Sequence, residues 1–307
     1  MIASAPGKLI LTGEYAVLDG APALVVAMNR RAIARHGTGE PSPFLRAVAA
    51  ELATRFGAAH PAARAACEVS VDSSAFYDGT MKLGLGSSAA VTVAATAYAL
   101  GPDAEPATIL AVALAAHAAA QGSRGVRGSG ADIAAAVHGG TIMFRAAVIE
   151  PRTWPANLVL LPFFTGNSAD TVELVARIAA ARAAAPGVVE PALAAIAAAS
   201  HDVCEALTGS AETTIAAFEQ AAAATDRLAA AANLALVPDC VVAARSAMSQ
   251  LGGTAKTTGA GGGDIGVAVI PATADVTRAT RMLIEVGCRP LSLSVDPRGV
   301  DTRPTPQ

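Results

Sequence analysis

Lys82-Leu83-Gly84-Leu85-Gly86-Ser87-Ser88-Ala89-Ala90 is a loop of glycines and hydroxyls that opens directly into an apolar, alanine-rich stretch, and its chemistry is anion binding. Glycines let the backbone approach an anion closely, first-turn N–H groups have no intrahelical acceptors, and the positive end of the helix dipole faces the same point. The hydroxyls of Ser87 and Ser88 suit a phosphate oxygen or its Mg²⁺. Two other segments have comparable potential. Lys8 stands between the Pro6-Gly7 turn and the apolar Leu9-Ile10-Leu11, a pattern that predicts a strand with the ammonium at its mouth. Lys256-Thr257-Thr258-Gly259-Ala260-Gly261-Gly262-Gly263-Asp264 reads as a flexible loop able to wrap a ligand. Lys8, Lys82 and Lys256 are the only three lysines in the chain. With Arg124 and Arg127 they lie in or beside glycine-rich segments, as expected if polyanionic substrates are gathered in one cleft.

Bringing such distant groups together takes two α+β units. Up to about residue 144 the pattern predicts the Lys8 strand, strands near 23–28 and 68–71, helices around 44–56, 87–100 and 107–122, and a helical turn from 131. A strand near 158–164 ends at the turn residues Thr165-Gly166-Asn167. Four alanine-rich helices follow, at 169–185, 191–208, 212–233 and 238–252, their charges spaced among the alanines. A strand at 267–270, a helix at 274–286 and a strand at 290–295 complete the order.

Taken together and in this order, the three segments resemble the GHMP kinase superfamily of ATP-dependent small-molecule kinases. The resemblance runs from Ser4 to about Ser294. Gly13-Glu14-Tyr15-Ala16-Val17-Leu18, Ala116-His117-Ala118-Ala119-Ala120-Gln121-Gly122 and Gly128-Ser129-Gly130-Ala131-Asp132 look more like phosphomevalonate kinases than mevalonate kinases, which usually carry His where Tyr15 stands. The implied fold is α+β, with a ribosomal-S5-like N-terminal domain over 1–150 that binds ATP and a ferredoxin-like C-terminal domain over 151–307. The implied reaction is ATP-dependent phosphorylation of 5-phosphomevalonate to 5-diphosphomevalonate with release of ADP. The alternatives are mevalonate kinase, another GHMP small-molecule kinase, or a non-catalytic GHMP-like nucleotide- or metabolite-binding protein.

The resemblance also implies ATP and Mg²⁺ as cofactors and assigns roles to residues. Lys8 and Asp132 match the family's catalytic lysine and aspartate, Gly84, Leu85, Gly86, Ser87, Ser88 and Ala89 match its phosphate loop, and Ser88 matches its Mg²⁺ ligand. Tyr15, Lys82, Ser129, Gly259, Ala260, Gly261 and Gly262 are expected around the acceptor, with His117, Arg124 or Arg127 adding charge. A phosphate acceptor is already mostly dianionic at pH 7 and needs no strong base, so Asp132 is expected to orient Lys8 or the metal shell. Gln121 departs from the mevalonate kinase pattern, since it stands near where those enzymes place a metal-binding glutamate. Mg²⁺ is then expected to rely on Ser88, water and the ATP phosphates.

Composition removes several other classes. A net charge of −3 gives no basic face for nucleic acid. Hydrophobic residues make up 53% of the 307, but much of that is alanine and no run of about 18 apolar residues lacks a polar or breaking residue, so no membrane span is expected. The N-terminus has no secretory signal pattern, which makes cytoplasm the expected location. Cys67, Cys204, Cys240 and Cys288 show no zinc spacing and read as buried free thiols. Walker A is absent, and Gly84-x-Gly86-x-x-Ala89 lacks the preceding apolar strand of a dinucleotide fold. The partner is expected to be a small molecule, with the chain a monomer or homodimer.

Overall fold

Pro6 removes one ladder donor, and the first strand answers with a bulge. In the computed structural model, which describes residues 1–38, 40–122 and 128–304, β1 (Ile2–Thr12) pairs with β2 (Ala23–His36) and shifts register between Pro6 and Gly7. Lys8 therefore lies within a strand, not at its mouth. The bulge turns the backbone of Gly7 and Lys8 toward the glycine loop: Lys8 N–H donates to the Leu85 carbonyl at 2.9 Å. A Cβ on Gly7 would stand 2.8 Å from that same oxygen.

The first sheet is antiparallel in the order β12-β1-β2-β6-β7, with β3 (Val69–Asp72) also on β2. β6 (Thr141–Arg145) and β7 (Val148–Arg152) form a hairpin that sequence pattern did not suggest, and a domain boundary at 150 cuts through β7. The outer strand β12 (Asp301–Arg303) comes from the far end of the described chain, so the segment after the second sheet closes the first. Helices α1 (Pro43–Phe56), α2 (Pro61–Cys67), α3 (Ser87–Leu100), α4 (Pro106–Gly122) and α5 (Ala131–His138) belong to this unit. α3 packs on β1, β2, α4 and α5, and its small side chains, from Ala89 to Ala97, let it be buried on almost every side. The alanine content is thus a close-packing device. Before α3 comes an exposed two-rung hairpin, β4 (Tyr77–Asp78) and β5 (Met81–Lys82).

The second sheet has the order β11-β8-β10-β9, from β8 (Leu158–Phe164), β9 (Thr254–Thr257), β10 (Ile265–Pro271) and β11 (Arg289–Pro290). Its helices are α6 (Thr171–Ala184), α7 (Pro186–Ala206), α8 (Ala211–Ala232), α9 (Asp239–Ser249) and α10 (Val276–Glu285). α9 and α10 bury Val241, Met248 and Leu283 with Phe163 and Ile270 of the sheet. The expected strand at 290–295 shrinks to Arg289–Pro290 plus a single bridge from Val295 to Met28. Lys256, expected in a loop, is in β9.

Candidate active site

Tight glycine contacts join the three motifs. Gly86, the N-cap of α3, has φ 72° and no side-chain cap, and a Cβ there would lie 2.7 Å from Lys8 Cε. At Gly84 the same addition would meet Asp264 Oδ2 at 2.6 Å. The loop before α3 is therefore pressed between the lysine of β1 and the aspartate that ends the third motif. Together with the start of α5 they line one cleft, whose charged walls among the described residues are Lys8, Glu14, Asp132 and Asp264. Ile10, Val17, Leu18 and Val175 supply apolar wall.

Lys8 is half-buried, and burial lowers its ammonium below the ordinary lysine range. Asp132 and then Asp264 pull it back up, while Lys82 pushes it down. Asp264 holds a positive φ of 53° and is fixed by hydrogen bonds from three sides, with Thr165 also donating its hydroxyl to the Asp264 carbonyl at 3.1 Å. Its N–H donates to Asn167 O at 2.7 Å, its carbonyl accepts from Thr165 N–H at 2.9 Å, and its Oδ1 accepts from Ala169 N–H at 3.4 Å. Burial raises its carboxyl, opposed by the Ala169 N–H, Lys82 and Lys8. Asp264 and Glu14 were not among the expected site residues, although both sit inside the motifs that pointed to the site.

The first turn of α3 leaves backbone donors unpaired. Among the described residues, the N–H groups of Gly86, Ser87 and Ser88 have no protein acceptor, whereas those of Ala89 and Ala90 close onto Gly86 O at 3.1 and 3.2 Å. Ala89, expected in the phosphate loop, thus has its donor committed within the helix. Leu85 contributes its carbonyl to Lys8 and a side chain that is fully buried. Ser88 Oγ lies 3.2 Å from Nε2 of His117, which is 3% exposed and stacked on Phe44. His117 is therefore a packed histidine that touches the loop, not an added cation in the cleft.

The third motif behaves differently. Lys256 is 1% exposed, ion-paired with the buried Glu14, and donates to Leu11 O at 2.7 Å and Thr257 O at 2.8 Å. It is a structural cation and not one that gathers substrate. Burial raises the Glu14 carboxyl against the opposing pull of Lys256. Gly259, Gly261 and Gly262 donate to Ile10, Thr258 and Leu236 carbonyls at 3.0, 3.3 and 2.7 Å. Gly259, Ala260 and Gly261 line the cleft, while Gly262 packs against Leu174 behind it. Tyr15, with φ 62°, donates its hydroxyl to Ala260 O at 2.5 Å, so that proton is occupied within the protein.

Ser129 lines the cleft and accepts from Ala131 N–H at 3.2 Å, helping to start α5 just ahead of Asp132. Gln121 also lines the cleft. Lys82 is exposed on β5 outside the lining, close enough to act on Lys8 and Asp264 through space. Arg124 and Arg127 lie outside the described residues. Among those residues no group of three or more His, Cys, Asp or Glu side chains could hold a metal, and no helix is long and apolar enough to cross a membrane. The four cysteines are free thiols, of which Cys204 and Cys288 are buried, Cys240 is half-buried and Cys67 is exposed.

A fold of two antiparallel sheets around a glycine-rich, half-open helix start defines the GHMP type, and comparison with known proteins agrees. The family model of the GHMP kinases N terminal domain matches residues 44–140. Over 287 residues the chain is 32% identical to a mevalonate kinase of Archaeoglobus fulgidus, covering 86% of this chain and 90% of that protein. The chain belongs to the GHMP kinase superfamily, a family of small-molecule kinases. Two solved structures share its fold at low identity. The Lin0012 protein of Listeria innocua superposes with a TM-score of 0.83 at 20% identity, over 98% of this chain and 99% of that one. Streptococcus pneumoniae phosphomevalonate kinase in complex with phosphomevalonate and AMPPNP gives 0.77 at 18% identity, over 96% and 99%. The sequence relative is a mevalonate kinase, so the expected leaning toward phosphomevalonate kinases gives way to the broader assignment.

Proposed function

We propose that the chain transfers the γ-phosphoryl group of Mg·ATP to the hydroxyl of a small branched hydroxy acid of the mevalonate type. The 32% identity over 287 residues to a mevalonate kinase carries this choice, and the described part of the cleft fits it. Among the described residues the cleft is lined by a single cation, Lys8, facing Asp132 and Asp264, with Glu14 already committed to Lys256. A phosphomonoester acceptor brings close to two negative charges and calls for further cations; Arg124 and Arg127, between the lining residues Gln121 and Gly128 in sequence, lie outside the described residues. A hydroxyl acceptor requires a base instead, and Asp132 at the start of α5 supplies one. The apolar walls suit a short carbon skeleton.

In this reading the unpartnered N–H groups of Gly86, Ser87 and Ser88 hold the ATP phosphates at the positive end of α3. The acceptor oxygen attacks the γ-phosphorus, the bond to the β,γ-bridging oxygen breaks, ADP leaves, and Asp132 takes the hydroxyl proton. Lys8 stabilises the charge on the group in transit. The oxygen donors of the motifs, the Asp132 and Asp264 carboxylates in the lining and the Ser88 hydroxyl at the start of α3, are of the hard type that suits a cation keeping several waters. When bound, Mg²⁺ neutralises phosphate charge.

A second reading, with 5-phosphomevalonate as acceptor, draws on the exposed ammonium of Lys82 beside the cleft. ADP release from Mg·ATP, measured with mevalonate and 5-phosphomevalonate in parallel, separates the two. Turnover with mevalonate alone is the expected result. Turnover with 5-phosphomevalonate alone replaces it by the second reading, and turnover with neither removes both.

A further inference from the structure

His117 is the one strongly polar side chain that α4 buries; the rest of its hidden face is Ile109, Val112, Ala113, Ala116 and Ala120. Burying a ring nitrogen costs free energy unless it finds a partner, and here the partner is the Ser88 hydroxyl at 3.2 Å. Three elements fix the ring. It is carried by α4, stacked on Phe44 of α1 with centroids 5.2 Å apart and planes 22° off parallel, and hydrogen-bonded to the first turn of α3. Ser88 is further tied at its backbone, where its carbonyl accepts from Thr92 Oγ1 at 2.8 Å.

A serine in a first helical turn ordinarily rotates its hydroxyl and bonds back to nearby backbone. At Ser88 the imidazole takes that freedom away. We propose that His117 is a positioning residue of the nucleotide site: its Nε2 accepts the Ser88 hydroxyl proton, leaving both lone pairs of Ser88 Oγ for the cation that accompanies the nucleotide. The inference rests on the start of α3 being the nucleotide site. It also gives a reason for a buried histidine in an alanine helix, where a leucine would fill the same space without touching the loop.

Calorimetric binding of AMPPNP, with Mg²⁺ and separately with EDTA, tests it. His117→Phe keeps the stack on Phe44 and removes the acceptor. It is expected to weaken Mg·AMPPNP binding about tenfold, the size typical for groups that orient a metal ligand, and to leave metal-free AMPPNP binding unchanged. His117→Gln, which places an acceptor near the Nε2 position, is expected to restore most of the loss. Ser88→Ala should show the same metal-dependent loss, and adding His117→Phe to it should cost nothing more. Equal weakening with and without Mg²⁺, or no weakening, overturns the inference, as does additivity of the two substitutions. If His117→Phe does not fold, His117→Gln and Ser88→Ala decide it: Ser88→Ala binding Mg·AMPPNP like the wild type overturns it. Wild-type protein that binds no AMPPNP in either condition overturns the nucleotide site itself, a result distinct from all of these.

Discussion

Before α3, the loop over 84–88 leaves the N–H groups of Gly86, Ser87 and Ser88 without a protein acceptor, whereas the loop over 258–263 commits those of Gly259, Gly261 and Gly262 to Ile10, Thr258 and Leu236. Both loops are rich in glycine, for different reasons. In the first, the missing side chains keep a helix start open to a ligand. In the second, they let one backbone press on another, since a Cβ on Gly261 would lie 2.5 Å from the Leu236 carbonyl oxygen. The lysines divide in the same way. Lys8 lines the cleft with two carboxylates acting on it through space, and Lys256 is enclosed by Glu14, Leu11 and Thr257. In the proposed reading, a glycine-lysine segment serves a ligand only where its donors are left unpaired.

The sharpest way to break this contrast is to exchange the expected effects of the two lysines. Lys256→Met leaves Glu14 buried without its partner and is expected to cost about 3–5 kcal/mol of stability in urea unfolding, because an uncompensated buried charge is strongly unfavourable. Lys8→Met is expected to lower turnover by about 10²–10³, the range for removing one group that stabilises transition-state charge, with little change in the urea midpoint. A stable Lys256→Met or an unfolded Lys8→Met would show that the division is wrong.

The glycines give a smaller, parallel test. Gly86→Ala would place a methyl against Lys8 and close the helix start, so nucleotide KM should rise about tenfold for a loss on the order of 1.4 kcal/mol in binding. Gly261→Ala should appear mainly as about 1–3 kcal/mol of lost stability from overpacking, read by the same urea titration.

Proton linkage gives the finest test. In the proposed mechanism Lys8 acts as an ammonium, so activity is expected to be retained below its pKa and lost as pH rises through it. Lys82 lowers that pKa and Asp264 raises it. In pH profiles of kcat/KM with the preferred acceptor, Lys82→Met should move the alkaline limb to higher pH and Asp264→Asn should move it to lower pH. Shifts in the opposite directions would contradict the arrangement of charges around Lys8.

Much of this arrangement is written in local pattern. The Gly86-Ser87-Ser88 helix start, the long alanine helices and the strand at Ile265–Pro271 follow from periodicity and punctuation. What escaped was either short or non-local. β9 is four residues of mixed polarity, Thr-Ala-Lys-Thr, and the carboxylate that lets its lysine be buried is 242 positions away. The β6–β7 hairpin turns on Ala146 and Ala147 at φ 47° and 68°, with none of the glycine or asparagine that marks such turns. α2 has only seven residues, too few for a periodic signal. His117, expected to add charge near the acceptor, is instead packed, and only tertiary geometry reveals the hydroxyl it touches.

The pairing of β12 with β1 also bears on how the protein is made. Ile2 lies opposite Arg303, so the strand that carries Lys8 receives its outer neighbour only when nearly the whole described chain has left the ribosome. At about 5–20 residues per second, that leaves the strand's outer edge uncovered for roughly 15–60 s. Throughout that interval the N-terminal half presents a ready template for another strand, including one from a neighbouring nascent copy. Assembly of the cleft, whose third motif ends at Asp264, and the covering of this edge therefore both come late in synthesis.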